Sequence, residues 1–564
     1  MLTKRTRILL LLIVAAIMAG AAGWPSFQQS LAGLQQRLRH RQPPPAGDQG
    51  DGSVRFVDVA DKAGLRYRWA IPGPRPIDIL QGIGNGCAFL DYDNSGNLSI
   101  LLVGPKLALY KGDGRGHFTD VTHQTGLDRF HGHFLGCAVG DYDNDGYDDL
   151  YISGYRAGLL LHNDGGKSFR DVTRQAGLTP QPWGTSCAFA DIDNDGRLDL
   201  FVGDYVRFDP SKDQRLCPTP GGPSGCGPQT YNALHGVLYH NEGNGRFRDV
   251  TQAWTGGHTS GKVLGAAFAD FNASGRPSLY LANDLMPGDL LQNRGDHFQN
   301  TPRAGGVADT GGQNNAGMGV DWGDYDNDGR PDLFVGTFAL APKPVYHNLG
   351  QGVFEETSES LGLREPTFRP LTFGTKWLDY DNDGWLDLIM ANGHVRDNAT
   401  SYRADATFLQ PTLLFHNDHG RRLEDVSGAA GADIAKPILG RGLAIGDYDN
   451  DGKVDVLIVD SQGAPLLLHN ESRVSGHWLS FALIGTRSNR DGYGASVTVT
   501  AGGLTQTRWC HADGSYLSSS DKRVHVGLGA ATVAQSVTVR WPSGAVTTLR
   551  NVPADRQLTV QEGR

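Results

Sequence analysis

One nine-residue pattern constrains this chain more than anything else in it. D-x-D-x-D-G-x-x-D occurs whole at 141–149 (DYDNDGYDD), 191–199 (DIDNDGRLD), 324–332 (DYDNDGRPD), 379–387 (DYDNDGWLD) and 447–455 (DYDNDGKVD). Two worn copies, DYDNSGNLS at 91–99 and DFNASGRPS at 270–278, bring the number to seven. A repeat of this kind means stacked supersecondary units, none of which buries its apolar face alone. Each copy follows a strand of small residues, such as Cys187-Ala-Phe-Ala, and precedes an apolar strand, such as Leu198-Asp-Leu-Phe-Val. A third strand ends in His-Asn, as at Leu160-Leu-His-Asn163, and a Phe-Arg-Asp-Val-like segment closes the unit. Four strands per unit describe the blade of a β-propeller. The expected fold is therefore all-β: a seven-bladed propeller with a small β-rich domain after it.

A second series is offset from the first. Segments like Phe-x-Asp-Val start at Phe56, Phe118, Phe169, Phe247, Phe298, Phe354 and Leu423, so the first precedes every Asp loop and none follows the last. Residues 54–60 are thus expected to supply the outer strand of the last blade. Pairing the two chain ends in this way removes an open sheet edge.

Carboxylate density points to a cation. The expected ligands are Asp141, Asp143, Asp145, Asp149 and the Tyr147 carbonyl; Asp191, Asp193, Asp195, Asp199 and the Arg197 carbonyl; and Asp324, Asp326, Asp328, Asp332 and the Arg330 carbonyl. Two more sets are Asp379, Asp381, Asp383, Asp387 with the Trp385 carbonyl, and Asp447, Asp449, Asp451, Asp455 with the Lys453 carbonyl. Asp91, Asp93 and Asp270 form weaker sites. Four carboxylates on one turn repel unless a hard cation joins them, and Ca²⁺ accepts irregular oxygen geometry. An EF-hand is excluded, because its bidentate Glu would fall on Ile152, Val202, Val335, Met390 or Ile458. The net charge of −10 is balanced by about five Ca²⁺ ions and argues against a nucleic-acid partner.

Lys4, Arg5 and Arg7 precede an apolar run from Ile8 to Gly23, which reads as an export signal over residues 1–23. It is either a cleaved signal peptide or a retained anchor tethering the chain to a membrane through 8–23. Residues 24–53 then form a stalk and Pro/Gly-rich linker. Cys217 and Cys226 bracket a Pro/Gly-rich loop and suit a disulfide in an oxidising compartment. Cys87, Cys137 and Cys187 share one repeat position with Ala266, Val320, Thr375 and Leu443, so they fill a slot for small side chains.

Taken together, these motifs resemble the FG-GAP/VCBS repeats of integrin-type propellers. GTRSNRDGYGASVTV (485–499), DGSYLSSSDKRVHVGLG (513–529) and VTVRWPSG (537–544) resemble the ASPIC/UnbV domain. The pairing is similar to the cartilage acidic protein family and its bacterial members. The resemblance implies a propeller over 54–475, a β domain over 476–564 and an extracytoplasmic calcium-binding protein. Alternation at Ser496-Val-Thr-Val-Thr, Val524-His-Val-Gly-Leu and Ser536-Val-Thr-Val-Arg supports β structure there independently.

The expected function is a non-catalytic binding or scaffold protein at the cell surface or in the periplasm, with an extracytoplasmic protein or glycan as partner. An enzyme or enzyme accessory, and a carbohydrate-binding module, are the alternatives. No G-x-S-x-G elbow, Walker loop or zinc-type His-Glu spacing is present. The face opposite the Asp loops should carry the insertions 203–236, 283–289, 337–344 and 391–412, with Trp183, Trp254, His258, Arg369, His394 and Arg441. Its role is either to contact the partner or to pack over the ring and brace the C-terminal domain. Asp321 and Lys376 replace the alanine found at the same position in five blades (Ala88, Ala138, Ala188, Ala267, Ala444), which suggests an ion pair between blades.

Overall fold

The computed structural model describes residues 54–220, 222–259, 261–401, 406–473 and 476–563. The expected signal, tether and stalk therefore lie outside the described residues. Among these, no helix is long and apolar enough to cross a membrane.

Over residues 54–470 the short β-prone runs between turn signals pair as seven four-stranded antiparallel sheets. Blade 1 runs from Cys87–Leu90 to Phe118–Asp120 and blade 2 from His133–Gly140 to Phe169–Asp171. Blades 3 to 6 begin at Gly184–Ala190, Val263–Ala269, Val320–Gly323 and Thr372–Leu378, and blade 7 at Gly440–Gly446. Each inner strand lies against that of the next blade, and Gly440–Gly446 lies against Cys87–Leu90. The fourth strand of blade 7 is Phe56–Asp58, antiparallel to Leu466–Asn470. The offset between the two sequence series has this physical basis.

The Asn of the third strand joins neighbouring blades. Asn163 Nδ2 donates to the Tyr92 carbonyl of the preceding blade, and Asn241, Asn293, Asn348, Asn417 and Asn470 do the same to Tyr142, Ile192, Phe271, Tyr325 and Tyr380. All six amides are buried, so each bond satisfies a group that burial would otherwise penalise.

The C-terminal domain packs a three-stranded sheet (Val524–Gly529, His477–Ile484, Arg556–Gln561) against a four-stranded one (Leu504–Trp509, Ser496–Ala501, Val533–Arg540, Val546–Pro553). Between Leu504–Trp509 and Val524–Gly529 the chain leaves the domain and enters the propeller. Residues 513–521 bond to the inner strand of every blade. Ser519 exchanges bonds with Cys87 and Phe89, the Leu517 carbonyl accepts from Cys137, and Leu517 N–H donates to Ser186. The Asp513 carboxylate accepts from Phe268 N–H, and Ser515 exchanges two backbone bonds with Val320 while its Oγ accepts from Thr375. Ser520 Oγ accepts from Ile445 N–H. Lys376 Nζ is 2.6 Å from Asp321 Oδ1 and also donates to the Asp513 carbonyl, so the expected inter-blade ion pair helps hold this plug.

The insertions lie over the far end of the channel. Cys217 and Cys226 are bonded, closing the hairpin of Leu216–Thr219 and Gly222–Gly225. Cys87, Cys137 and Cys187 are buried and free, as a packing slot requires. Three residues expected on an open face are instead buried. Trp183 stacks edge-on to Tyr155 and Tyr205. Arg441 lies over Phe373, 4.0 Å from its ring, with its guanidinium donating to the carbonyls of Gly82, Gly393, Gly440 and His394, and His394 is buried with it. The C-terminal domain sits on the Asp-loop side, so the insertions brace only the plug tip, where Tyr516 Oη donates to the Ile83 carbonyl.

The plug requires bare backbone where it passes. A β-carbon on Gly86 would stand 1.7 Å from the Leu517 carbonyl, whereas one on Gly428 would meet nothing within 4 Å. Gly86→Ala is expected to lower the unfolding midpoint by at least about 2 °C, and Gly428→Ala to leave it unmoved. Equal midpoints for the two variants in calorimetry would contradict the plug.

Candidate metal centres

Each Asp loop is a turn before it is a site. The first aspartate uses both oxygens on backbone N–H groups: Asp141 Oδ1 accepts from Asp145 N at 3.0 Å and Oδ2 from Gly146 N at 2.7 Å. The worn copies keep this bond pair, Asp91 with Ser95 and Gly96, Asp270 with Ser274 and Gly275. Asp91 and Asp270 therefore hold the hairpin whether or not a cation is present. The glycine at the sixth position has positive φ, +96° at Gly146, which a β-carbon would disfavour.

The ninth aspartate ties the loop to its blade. Asp149 Oδ2 accepts from Tyr142 N and Oδ1 from Asn163 N at 2.7 Å, and Asp199, Asp332, Asp387 and Asp455 repeat both bonds. The fifth aspartate accepts from the N–H of position seven, as Asp145 does from Tyr147. The Arg197 and Arg330 side chains fold back onto Asp195 and Asp328, while Lys453 stays 3.8 Å from Asp451. The third-position aspartate is the least engaged: Asp143 and Asp326 accept through Oδ1 only from the N–H of position five. Asp93, Asp193, Asp381 and Asp449 each keep a buried Oδ1 without a hydrogen-bond partner. Orphaned carboxylate oxygens pointing into a turn of acids fit a hard cation with oxygen ligands.

Sequence reasoning missed one group at these centres. The third-strand histidine closes each whole loop: His162, His240, His347, His416 and His469 stand 3.3–3.9 Å from the third aspartate and 2.9–3.3 Å from the ninth through Nδ1. The His-Asn ending was visible as part of the repeat, and its loss in the worn copies was the available clue. Lys111 occupies the place in blade 1 and pairs with Asp93, so that loop carries its own cation. Gln292 occupies it in blade 4, whose loop has Asn272, Ser274 and Ser278 in place of acids.

A further bond links the loops to each other. The fourth-position asparagine, in left-handed conformation (φ +61° at Asn144), donates its amide to the sixth-position carbonyl of the next loop. Asn94 reaches Gly146, Asn144 reaches Gly196, Asn194 reaches Gly275, Asn327 reaches Gly384 and Asn382 reaches Gly452. The C-terminal domain grips the same asparagines. Asn144 Oδ1 accepts from Arg490 N, Asn327 Oδ1 from Arg508, Asn450 Oδ1 from Arg523, and Asn382 Oδ1 lies 2.6 Å from His525 Nε2.

Burial, reinforced by neighbouring carboxylates, raises the first-position acids well above the usual range: Asp191 to about 7 and Asp447 to about 8. Hydrogen bonding to Asp455 raises His469 to about 9.

Residues 91–152, 141–202, 270–335 and 379–458 match the FG-GAP-like repeat, and residues 485–564 match the ASPIC and UnbV family. The chain is an FG-GAP-repeat protein with a C-terminal ASPIC/UnbV domain. It is similar to cartilage acidic protein 1 of Homo sapiens, 26% identical over 56% of this chain and 46% of that protein, and to that of Mus musculus, 25% identical over 56% and 47%. The chain thus spans about half the length of the curated relatives it matches. Among solved structures it is similar to YCF48 from Cyanidioschyzon merolae (TM-score 0.37, 9% identity, 71% of this chain and 98% of that one). It is also similar to BBS1N in complex with ARL6DN (TM-score 0.40, 10% identity, 73% and 99%).

These titrations give a signed test. An acid whose pKa is higher in the fold than in the unfolded chain makes the fold bind extra protons, so stability falls as pH rises toward the folded value. A raised histidine likewise contributes stability below its unfolded value that is lost as pH rises through about 9. In chelator, the unfolding midpoint should therefore drop between about pH 5 and about pH 8. Saturating Ca²⁺ should abolish that drop and raise the midpoint at pH 8. A midpoint in chelator that is flat or climbs with pH contradicts the assignment.

Proposed function

We propose that this FG-GAP/ASPIC-UnbV chain is an extracytoplasmic, calcium-stabilised binding scaffold that meets a partner protein through the propeller face opposite its Asp loops. One observation carries the reading. The C-terminal domain covers the Asp-loop side and fills the channel, which leaves the insertion-bearing face as the broad surface free to bind. Loops on a rigid scaffold are where recognition residues accumulate.

The chemistry of that face supports it. Five of the nine exposed large hydrophobics among the described residues lie on its loops: Leu216, Leu285, Leu340, Phe368 and Leu409. Leu285 and Leu340 stand at matching places in adjacent blades, both with positive φ (+57° and +63°) and 43% and 38% exposed. A leucine held in the left-handed region is strained and persists only where its surroundings fix it. Around Leu340 they do: Lys343 is buried and donates to the carbonyls of Phe338, Ala341 and Pro370. Between the loops lies an apolar pocket of about 280 Å³ lined by Ile83, Leu264, Met318 and Phe373, with the Tyr205–Asp284 pair on its wall.

Export would place the chain where Ca²⁺ is plentiful and where the Cys217–Cys226 bond persists. The reading assigns no catalysis; the charged groups at the channel are engaged in holding the plug. Leu285→Asp with Leu340→Asp changes two partly exposed side chains to a residue that tolerates positive φ, and should not lower the unfolding midpoint. Cross-linking of the tagged full chain in an extracytoplasmic fraction with Ca²⁺ should yield a partner with the wild type and lose it with the double variant. An identical cross-linked set from both proteins would refute this face as the binding surface.

A further inference from the structure

The chain of asparagine bonds between loops loses its donor at blade 4, whereas at blade 7 Asn450 still reaches the next loop, through Asn97 Oδ1. Six loops carry asparagine at the fourth position, and loop 270–278 carries Ala273. Alanine has no amide to reach the Gly329 carbonyl of the next loop. It keeps the turn conformation all the same, with φ +53°, a region that asparagine tolerates and alanine does not. Local stability thus favours asparagine twice over, through the backbone and through the lost bond. Departures of this kind concentrate at functional sites.

A cavity of about 580 Å³ opens at the break, between the worn loop, Gly329–Arg330 of blade 5 and the C-terminal domain. That volume lies within the range of small-ligand sites. Trp509 lines it half-buried, beside the hydroxyls of Thr498 and Thr507, which lie 3.0 Å apart. The acids on the wall are already engaged: Asp191 and Asp270 by backbone N–H groups of their own turns, Asp513 by Phe268 N–H and His511. Arg330 is held by the Asn348 carbonyl and Asp328. What the cavity offers a ligand is an indole and hydroxyls, on a wall that carries both the carboxylates and the guanidinium of Arg540, so that neither an anion nor a cation is favoured.

We infer that this cavity binds a neutral sugar, with the C–H face of a ring on Trp509 and its hydroxyls on Thr498 and Thr507. An aromatic surface framed by neutral donors and acceptors suits a ligand that is apolar on one side and polar around its edge. The site is independent of the partner face, from which it is separated by the depth of the propeller.

The experiment applies the full chain, in Ca²⁺, to an array of neutral and acidic oligosaccharides and measures any glycan bound by calorimetry. The wild type should bind a neutral glycan, and Trp509→Ala should weaken it by about tenfold or more. Ala273→Asn restores the missing amide opposite Gly329 and narrows the entrance, so it should raise the unfolding midpoint while weakening the same glycan. Because that variant is expected to gain stability, a loss of binding in it does not reflect misfolding. Binding of no neutral glycan, selection of acidic ones only, or binding unaffected in both variants would overturn the site.

Discussion

The inner strands of a propeller converge on an axis where their N–H and C=O groups have no fifth strand to pair with. That shortage of partners is the constraint on which the rest of the molecule depends, because a buried unpaired backbone group costs about as much as the hydrogen bond it lacks. Here the C-terminal domain meets it with its own main chain. Residues 513–521 supply backbone, serine and aspartate partners to all seven inner strands, and Tyr516 and Leu517 are fully buried at the far end. The propeller and the C-terminal domain are therefore one hydrogen-bonded object, and they share a core as well, since Phe189 and Leu198 of the propeller belong to the same buried cluster as Phe481 and Val497 of the C-terminal domain.

Much of the fold was legible because its signals are local or repeated. The Asp loops, the third-strand His-Asn and the offset Phe series each recur at known intervals, so four strands per unit and the role of Phe56–Asp58 could be read directly. The plug could not. DGSYLSSSDK has neither the alternation of a strand nor the composition of a core, since its partners are backbone atoms hundreds of residues away. Trp183, His394 and Arg441 were misplaced for a related reason. Large or charged side chains beside the insertions suggest surface, yet Arg441, on the inner strand of blade 7, finds carbonyls enough to be wholly buried. At the Asp loops the carboxylates were legible and their division of labour was not. Only geometry separates an aspartate that folds the turn from one that staples the blade, or from one whose oxygen is left for a cation.

The fourth-position asparagines add a second layer of coupling. Asn144, Asn327 and Asn382 each bond the next loop through Nδ2 and the C-terminal domain through Oδ1. A disturbance of one loop is thereby felt by its neighbour and by the domain above. Such joints make the Asp-loop side rigid as a unit, whereas the opposite face is held by separate clamps such as Lys343 and Arg441, each acting on its own loops.

The pairing of Phe56–Asp58 with Leu466–Asn470 has a consequence for how the chain comes to be folded. The first strand to emerge during synthesis waits for a partner more than 400 residues later, and the plug comes later still. Such long-range closure is slow and leaves sheet edges uncovered in the meantime. A chain built this way cannot lock while only its N-terminal part exists. It becomes a closed object only when the C-terminal domain has been made and residues 513–521 can reach the inner strands.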